Sequence, residues 1–199
     1  MEKFYLEEPT LKRKEEALEY LKEFIENNSA VCGSEGLNRC AKGITYETWL
    51  EDVIKTQDKE YAEIKKEGPS STYFMVREED NKIVGMVNIR HYLDRIARQL
   101  GGHIGGSIRP SERGKGYSEV LLYLALLECN KLGIDDVMID CEKINIKSER
   151  AIIAIGGEFE REFYYQPRKT VIRNYWVNVD KSINKNEDKY GKKVLTLKK

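Results

Sequence analysis

The chain has 199 residues and is 40% hydrophobic, and its 34 lysines plus arginines are matched by 34 aspartates plus glutamates. That length suits a single domain with a sizeable core, and a formal net charge of zero gives no support to a broad nucleic-acid or membrane surface. No apolar run approaches the roughly 20 residues of a membrane span, and the opening MEKFYLEEPTLKRKEE lacks the apolar core of a signal peptide, so a cytoplasmic location is expected.

In chain order, residues 10–26 (TLKRKEEALEYLKEFIE) place Leu11, Leu18, Leu21 and Ile25 near one stripe, the pattern of an amphipathic helix. The stretch from Asn27 to Gly43 reads as loop, and a second helix begins after Thr45, with Thr48 three residues on as a weak capping signal. After the GPSS break at Gly68, STYFMV and KIVGMVNIR flank a polar turn over 78–81 and read as a hairpin. Leu93 to Leu100 has helical character. HIGGSIR is a third strand candidate. A helix that is apolar almost all round runs from Tyr117 to Lys131 and stops at Gly133. DDVMIDC then reads as a buried strand, and NIKSERAIIAIGG as a short helix. GEFEREFYY and KTVIRNYWVNV read as two strands joined across Gln166, Pro167 and Arg168. Residues 1–180 therefore form one domain, with a helical part over 1–70 and a sheet core over 71–180. The lysine-rich segment 181–199 reads as a solvated or frayed tail. The order of elements predicts a mixed α/β fold whose sheet is largely antiparallel and holds at least one strand–helix–strand crossover.

Cys32, Cys40, Cys129 and Cys141 form no CxxC pair, and His91 and His103 are the only histidines. No metal site is expected, and reduced thiols fit better than a disulfide framework.

The strongest local signal is SIRPSERGKGYSEVLLYLALLE, residues 107–128. A helix N-terminus leaves several N–H groups unpartnered and carries partial positive charge. Preceded by a glycine loop, those groups converge on an anion, usually phosphate. Gly114 and Gly116 give the backbone its freedom, and Arg113 and Lys115 add charge. The loop is neither a GxxxxGK[ST] phosphate loop nor a GxGxxG dinucleotide loop, since Glu119 stands where the latter needs glycine.

Arg113-Gly114-Lys115-Gly116-Tyr117-Ser118 resembles [Q/R]xxGx[G/A], the coenzyme A diphosphate loop of the GNAT superfamily of N-acyltransferases. The strand before it, the helix after it, and the later Asn145, Ser148 and Gly156-Gly157 resemble the family core over about 72–178. The phrases GGHIGGSIRPSERGKGY and IVGMVNIRH resemble a bacterial subgroup of that superfamily. The resemblance implies a mostly antiparallel sheet flanked by helices, with splayed strands forming an acyl-CoA cleft. It implies transfer of an acetyl group from acetyl-CoA to a primary amine of a small molecule or peptide by direct attack. A non-catalytic coenzyme A sensor is the alternative. It also implies that coenzyme A is held by Ile108, Arg113, Gly114, Lys115, Gly116, Tyr117, Ser118, Asn145 and Ser148. Ser118 stands where glycine or alanine is usual, and Ile152 stands where many members carry a tyrosine acid.

A thiol of pKa near 8.5 leaves readily, whereas an ammonium near 10.4 must lose a proton, so a base matters more than an acid. His103, then His91, are the candidates, against a structural role for each; Asp140 and Glu142 follow. Asn145 either binds pantetheine or caps its helix. Cys141 is read as a packed strand residue, Tyr117 as packing more than binding, and Tyr164, Tyr165 and Tyr175 as core, ahead of a distant acid or a lining for the acceptor cleft. Arg109 either orients the loop or faces solvent. Glu8, Glu15, Glu47, Glu51 and Asp52 are negative charges that could draw a cationic amine, or solvated helix faces. No nucleic acid or membrane partner is expected; an exposed last strand would offer an edge for a homodimer.

Overall fold

The computed structural model describes residues 2–65, 68–195 and 197. Among these residues seven strands and six α-helices follow one another as β1 (Phe4–Glu7), α1 (Lys14–Glu26), α2 (Tyr46–Lys55), α3 (Lys59–Lys65), β2 (Ser70–Arg77), β3 (Lys82–Arg90), β4 (Ile104–Ile108), α4 (Tyr117–Lys131), β5 (Asp136–Glu142), α5 (Ile146–Ala154), β6 (Glu158–Tyr165), β7 (Thr170–Asn178) and α6 (Val179–Tyr190). The strands form two antiparallel sheets, β1-β2-β3-β4 and β5-β7-β6. The predicted hairpin pairs Tyr73 with Val87 and closes through Asn81, whose φ is 55°.

β3 sends Val84, Val87 and Ile89 to the core beneath α4, and Ile83 and Met86 to the core beneath α1 and α2; a bulge in the β2–β3 ladder, where Met75 pairs with Gly85 and Val76 with Ile83, shifts the alternation between the two ends of the strand. The face under α1 is built from Ala17, Tyr20, Leu21 and Phe24. Leu11 and Ile25, expected in that stripe, are 60% and 55% exposed. The reason is a helix that begins only at Lys14, after a 3-10 turn over Leu11–Arg13, and turns its aromatics inward. Thr45 does cap α2, accepting the N–H of Thr48 at 3.2 Å. The span 93–100 forms turns and not a helix, while part of the expected loop 27–43 winds into a 3-10 helix, Leu37–Lys42.

Two elements differ more. The N-terminal Phe4–Glu7 is a strand, paired with β2 from Phe4↔Arg77 to Glu7↔Phe74. The segment from Lys181 is no frayed tail: Val179, Ser182, Asn186 and Tyr190 of α6 are buried. Its ring Tyr190 lies against Tyr123 of α4, 5.7 Å between centroids, and its hydroxyl donates to Glu119. Val194 then bridges to Phe4; Thr196, Lys198 and Lys199 lie outside the described residues. The all-round apolar character of α4 follows, because the sheet covers one side and α6 the other. The last strand, β7, is also not an edge; it lies between β5 and β6, and β6 is the exposed edge.

Candidate functional site

The sheets meet at one point. His103 donates its N–H to the Met138 carbonyl at 2.7 Å, and the Met138 N–H donates to His103 Nδ1 at 2.9 Å. The close approach needs glycine just before it, since a Cβ on Gly102 would lie 2.3 Å from the Met138 oxygen. Beyond that vertex the strands splay, and β4 has a ladder partner on one side only, β3. The Arg109 N–H donates to Val84 at 2.9 Å, and Gly105 and Ser107 share its phase. By alternation the N–H groups of Gly106 and Ile108 turn to the open side. Gly106 is exposed although it sits in the middle of the molecule's combined sheet.

The β4 wall of this opening is braced. Tyr20 of α1 donates its hydroxyl to the Ser107 carbonyl at 3.2 Å, and Ser107 Oγ donates to the Cys32 carbonyl at 2.7 Å. Arg109 is buried, not solvated; its Nε donates to Glu23 at 2.5 Å and its Nη2 to Glu19 at 3.0 Å, tying the end of β4 to α1.

At the end of β4 lies the glycine loop. Gly114 and Gly116 have φ of 83° and 79°, a left-handed conformation that strains any other residue. A Cβ on either would meet nothing within 4 Å, so the demand is conformational. Gly116 caps α4 without a side-chain bond. Among the described residues, the backbone N–H groups of 114–118 donate to no protein acceptor. They form an open row of donors at the positive end of a 15-residue helix.

The charges placed here by the sequence are partly committed elsewhere. Lys115 Nζ donates to Glu112 at 2.7 Å, and Arg113 folds back to donate to the Ile108 carbonyl at 3.1 Å and Ser29 Oγ at 2.8 Å. Glu112 is buried and takes Arg77 and Lys82 as well. Burial pushes its carboxyl up, but Lys115, Arg77 and Lys82 together hold it down at about 2. Tyr117 is packed, its ring 4.7 Å from that of Phe4 and its hydroxyl donating to Glu2; only its N–H belongs to the open row. Ser118 is exposed at the same helix start.

Beyond β5, Asn145 accepts the Ser148 N–H at 3.2 Å and caps α5. Ile152 is in the core, and Gly157 passes so close that a Cβ would lie 2.5 Å from its side chain. Tyr175 is also core; its hydroxyl donates to Glu149 at 2.5 Å. Cys141 packs in the same core, while Tyr164 is exposed on β6.

The histidines part company. His103 is buried with Nδ1 engaged, and burial, with Arg90 adding, holds it at about 4. His91 bonds Ser71 Oγ at 2.9 Å. It carries the parity of Ile89 and so belongs to the α4 face, away from Gly105 and Asn88. Burial lowers its pKa too. Asp140, on β5 opposite Asn174, accepts the Gly101 N–H at 2.6 Å, and burial raises its carboxyl. Glu142 stands 3.9 Å from Arg168. Sequence reasoning passed over Asn88, Arg90 and Glu112. The signal available was alternation, which puts Asn88 and Arg90 on the face that Met86 marks.

The model for the acetyltransferase (GNAT) family matches residues 41–152, more than half of the chain, so the chain belongs to the GNAT family and is an acetyltransferase. None of the curated proteins matches it. Among solved structures it resembles the microcin self-immunity acetyltransferase MccE in complex with acetyl-CoA and AMP, at TM-score 0.62 and 17% identity, covering 88% of this chain and 92% of that one. It also resembles yncA, a putative acetyltransferase from Salmonella typhimurium with its cofactor acetyl-CoA, at 0.57 and 12%, covering 89% and 94%. A putative ribosomal-protein-serine acetyltransferase from Vibrio cholerae matches at 0.58 and 16%, covering 88% and 94%. At such identities the likeness is one of fold. No helix among the described residues is long and apolar enough to cross a membrane.

Proposed function

We propose that the chain transfers the acetyl group of acetyl-CoA to a primary amine of a small molecule or peptide by direct attack, in the cytoplasm. The observation that carries this reading is the row of unengaged N–H groups at 114–118, which runs on from the turned-out amides of Gly106 and Ile108. That row suits a diphosphate, and the strand edge suits an amide-bearing arm and a thioester oxygen. Preorganised donors at such an oxygen are worth on the order of a few kcal/mol of barrier. Asn145 and Ser148 lie at the start of α5, where their side chains can meet the same arm.

Acetyl-CoA supplies the activated acyl group; the chain must orient an amine and take its proton. The amine nitrogen bonds the acyl carbon, the carbon–sulfur bond breaks, and the ammonium proton leaves to a base. Asp140 suits that role better than His103 or His91. The lone pair of His103 is engaged by the Met138 N–H and His91 belongs to the α4 face, whereas the Asp140 carboxylate keeps lone pairs beyond the one bonded to Gly101 and burial makes it a stronger base than an ordinary aspartate. The thiolate leaves near neutral pH without help, which makes Ile152 acceptable at the usual tyrosine position.

Calorimetric titration with acetyl-CoA and coenzyme A tests the cofactor half, with micromolar-range binding expected and Gly116→Trp weakening it. Thiol release across a set of amines and peptides tests transfer. Absence of binding to either ligand would overturn the reading.

A further inference from the structure

Beside the splay, on the face covered by α1 and α2, a cavity of about 270 Å³ opens between β3 and the segment that follows α1. Asn88 and Arg90 form the strand wall, Gly105 lies next to them, and Ser34, Glu35 and Asn38 form the other wall. The segment passes so close to β4 that a Cβ on Gly33 would lie 2.1 Å from the Gly105 oxygen. The cavity therefore abuts the strand whose free edge faces the splay.

Asn88 is 3% exposed, and its amide nitrogen donates to Ser70 Oγ and Thr72 Oγ1, both at 3.0 Å. Both N–H groups are used, so what Asn88 can offer a ligand is its carbonyl oxygen, an acceptor only. Arg90 donates Nη1 to the Gly102 carbonyl at 2.9 Å. Among the described residues no carboxylate forms an ion pair with it; Asp140, which its charge reaches, is bonded to Gly101. A braced guanidinium without a salt-bridge partner is suited to bidentate capture of a carboxylate or phosphonate.

Asn88 and Arg90 are two residues apart on one face, roughly 7 Å along the strand. A small ligand lying along this strand face therefore meets a hydrogen-bond acceptor at one end and a guanidinium at the other. A second ammonium, as in a polyamine, would meet the guanidinium, and a peptide N-terminus would bring no anion to it.

We propose that the acceptor is a small compound of the amino-acid type, carrying both an amine and an acid group, its amine directed to Asn88 and its acid group held by Arg90. This rests on the transferase reading above and specifies its substrate class.

Matched pairs test it: leucine against isoamylamine and phenylalanine against phenethylamine, with spermidine and a free tripeptide alongside. Thioester loss is measured at saturating acetyl-CoA, and binding of the same compounds by calorimetry to the protein holding coenzyme A. The acid-bearing member of each pair is expected to win by at least about 100-fold in kcat/KM, and Arg90→Gln to shrink that preference at least tenfold with coenzyme A affinity kept. Arg90→Lys, which keeps the charge but not the fork, gives an intermediate loss and serves if the first variant fails to fold. Equal or better use of the plain amines, or a preference indifferent to both variants, overturns the proposal while leaving the transferase intact. Arg90-dependent binding of the amino acid without thioester loss upholds the cavity and sinks the transferase reading. If no acid-bearing compound binds or reacts, the proposal is wrong.

Discussion

Glu112 is where a single side chain most visibly shapes the loop. It joins Arg77, Lys82 and Lys115, and its carboxyl titrates at about 2 against an ordinary 4.5. Because the folded value lies below the unfolded one, these pairs contribute fully above pH 4.5, and their contribution disappears as pH falls through about 2. With two of the partners partly in water, about 2 kcal/mol is at stake. Urea unfolding followed from pH 7 to pH 2 is expected to show that loss, with a shallower pH dependence in Glu112→Gln. At Asp140 the shift runs the other way. A base with a raised pKa makes the rate fall on the acid side at a pH above that of an ordinary aspartate. Asp140→Asn should lower kcat by about 10² to 10⁴ and abolish that limb, with acetyl-CoA binding retained. The same profile for His103→Gln is expected to keep the limb.

The elements show which signals a sequence carries. The loop 113–118 was legible because its requirement is local: two left-handed glycines and a helix start, all within six residues. The roles of Lys115 and Arg113 were not, because their partners Glu112, Ile108 and Ser29 are settled by tertiary packing. The hairpin and the final strand pair were legible from β-rich runs about polar turns, and the long helix from an apolar run ending at Gly133, whereas β1 is four residues long and too short to stand out. The helical packing of 181–190 was concealed by composition. Lysines fill the exposed face of α6 while Val179, Ser182, Asn186 and Tyr190 face inward. An uncovered α4 that is apolar on all sides was itself a sign that something must cover it. Tyr190→Ala, which empties the contact with Tyr123 and Glu119, is expected to cost about 3 kcal/mol in urea unfolding.

Across the whole molecule, two antiparallel sheets joined at His103 and Met138 and parted beyond them give β4 an unpaired edge inside a closed fold. An unpaired edge is ordinarily a liability; here β4 is braced from the α1 side through Tyr20, Ser107 and Arg109, and its edge leads to a row of free helix-start amides. The acetyltransferase reading depends on that continuous line of donors. A backbone amide NMR titration with coenzyme A examines it most directly. The resonances of 114–118 should move most, with Gly106 and Ile108 following. Saturable binding that leaves those signals in place, or no binding, would contradict the account.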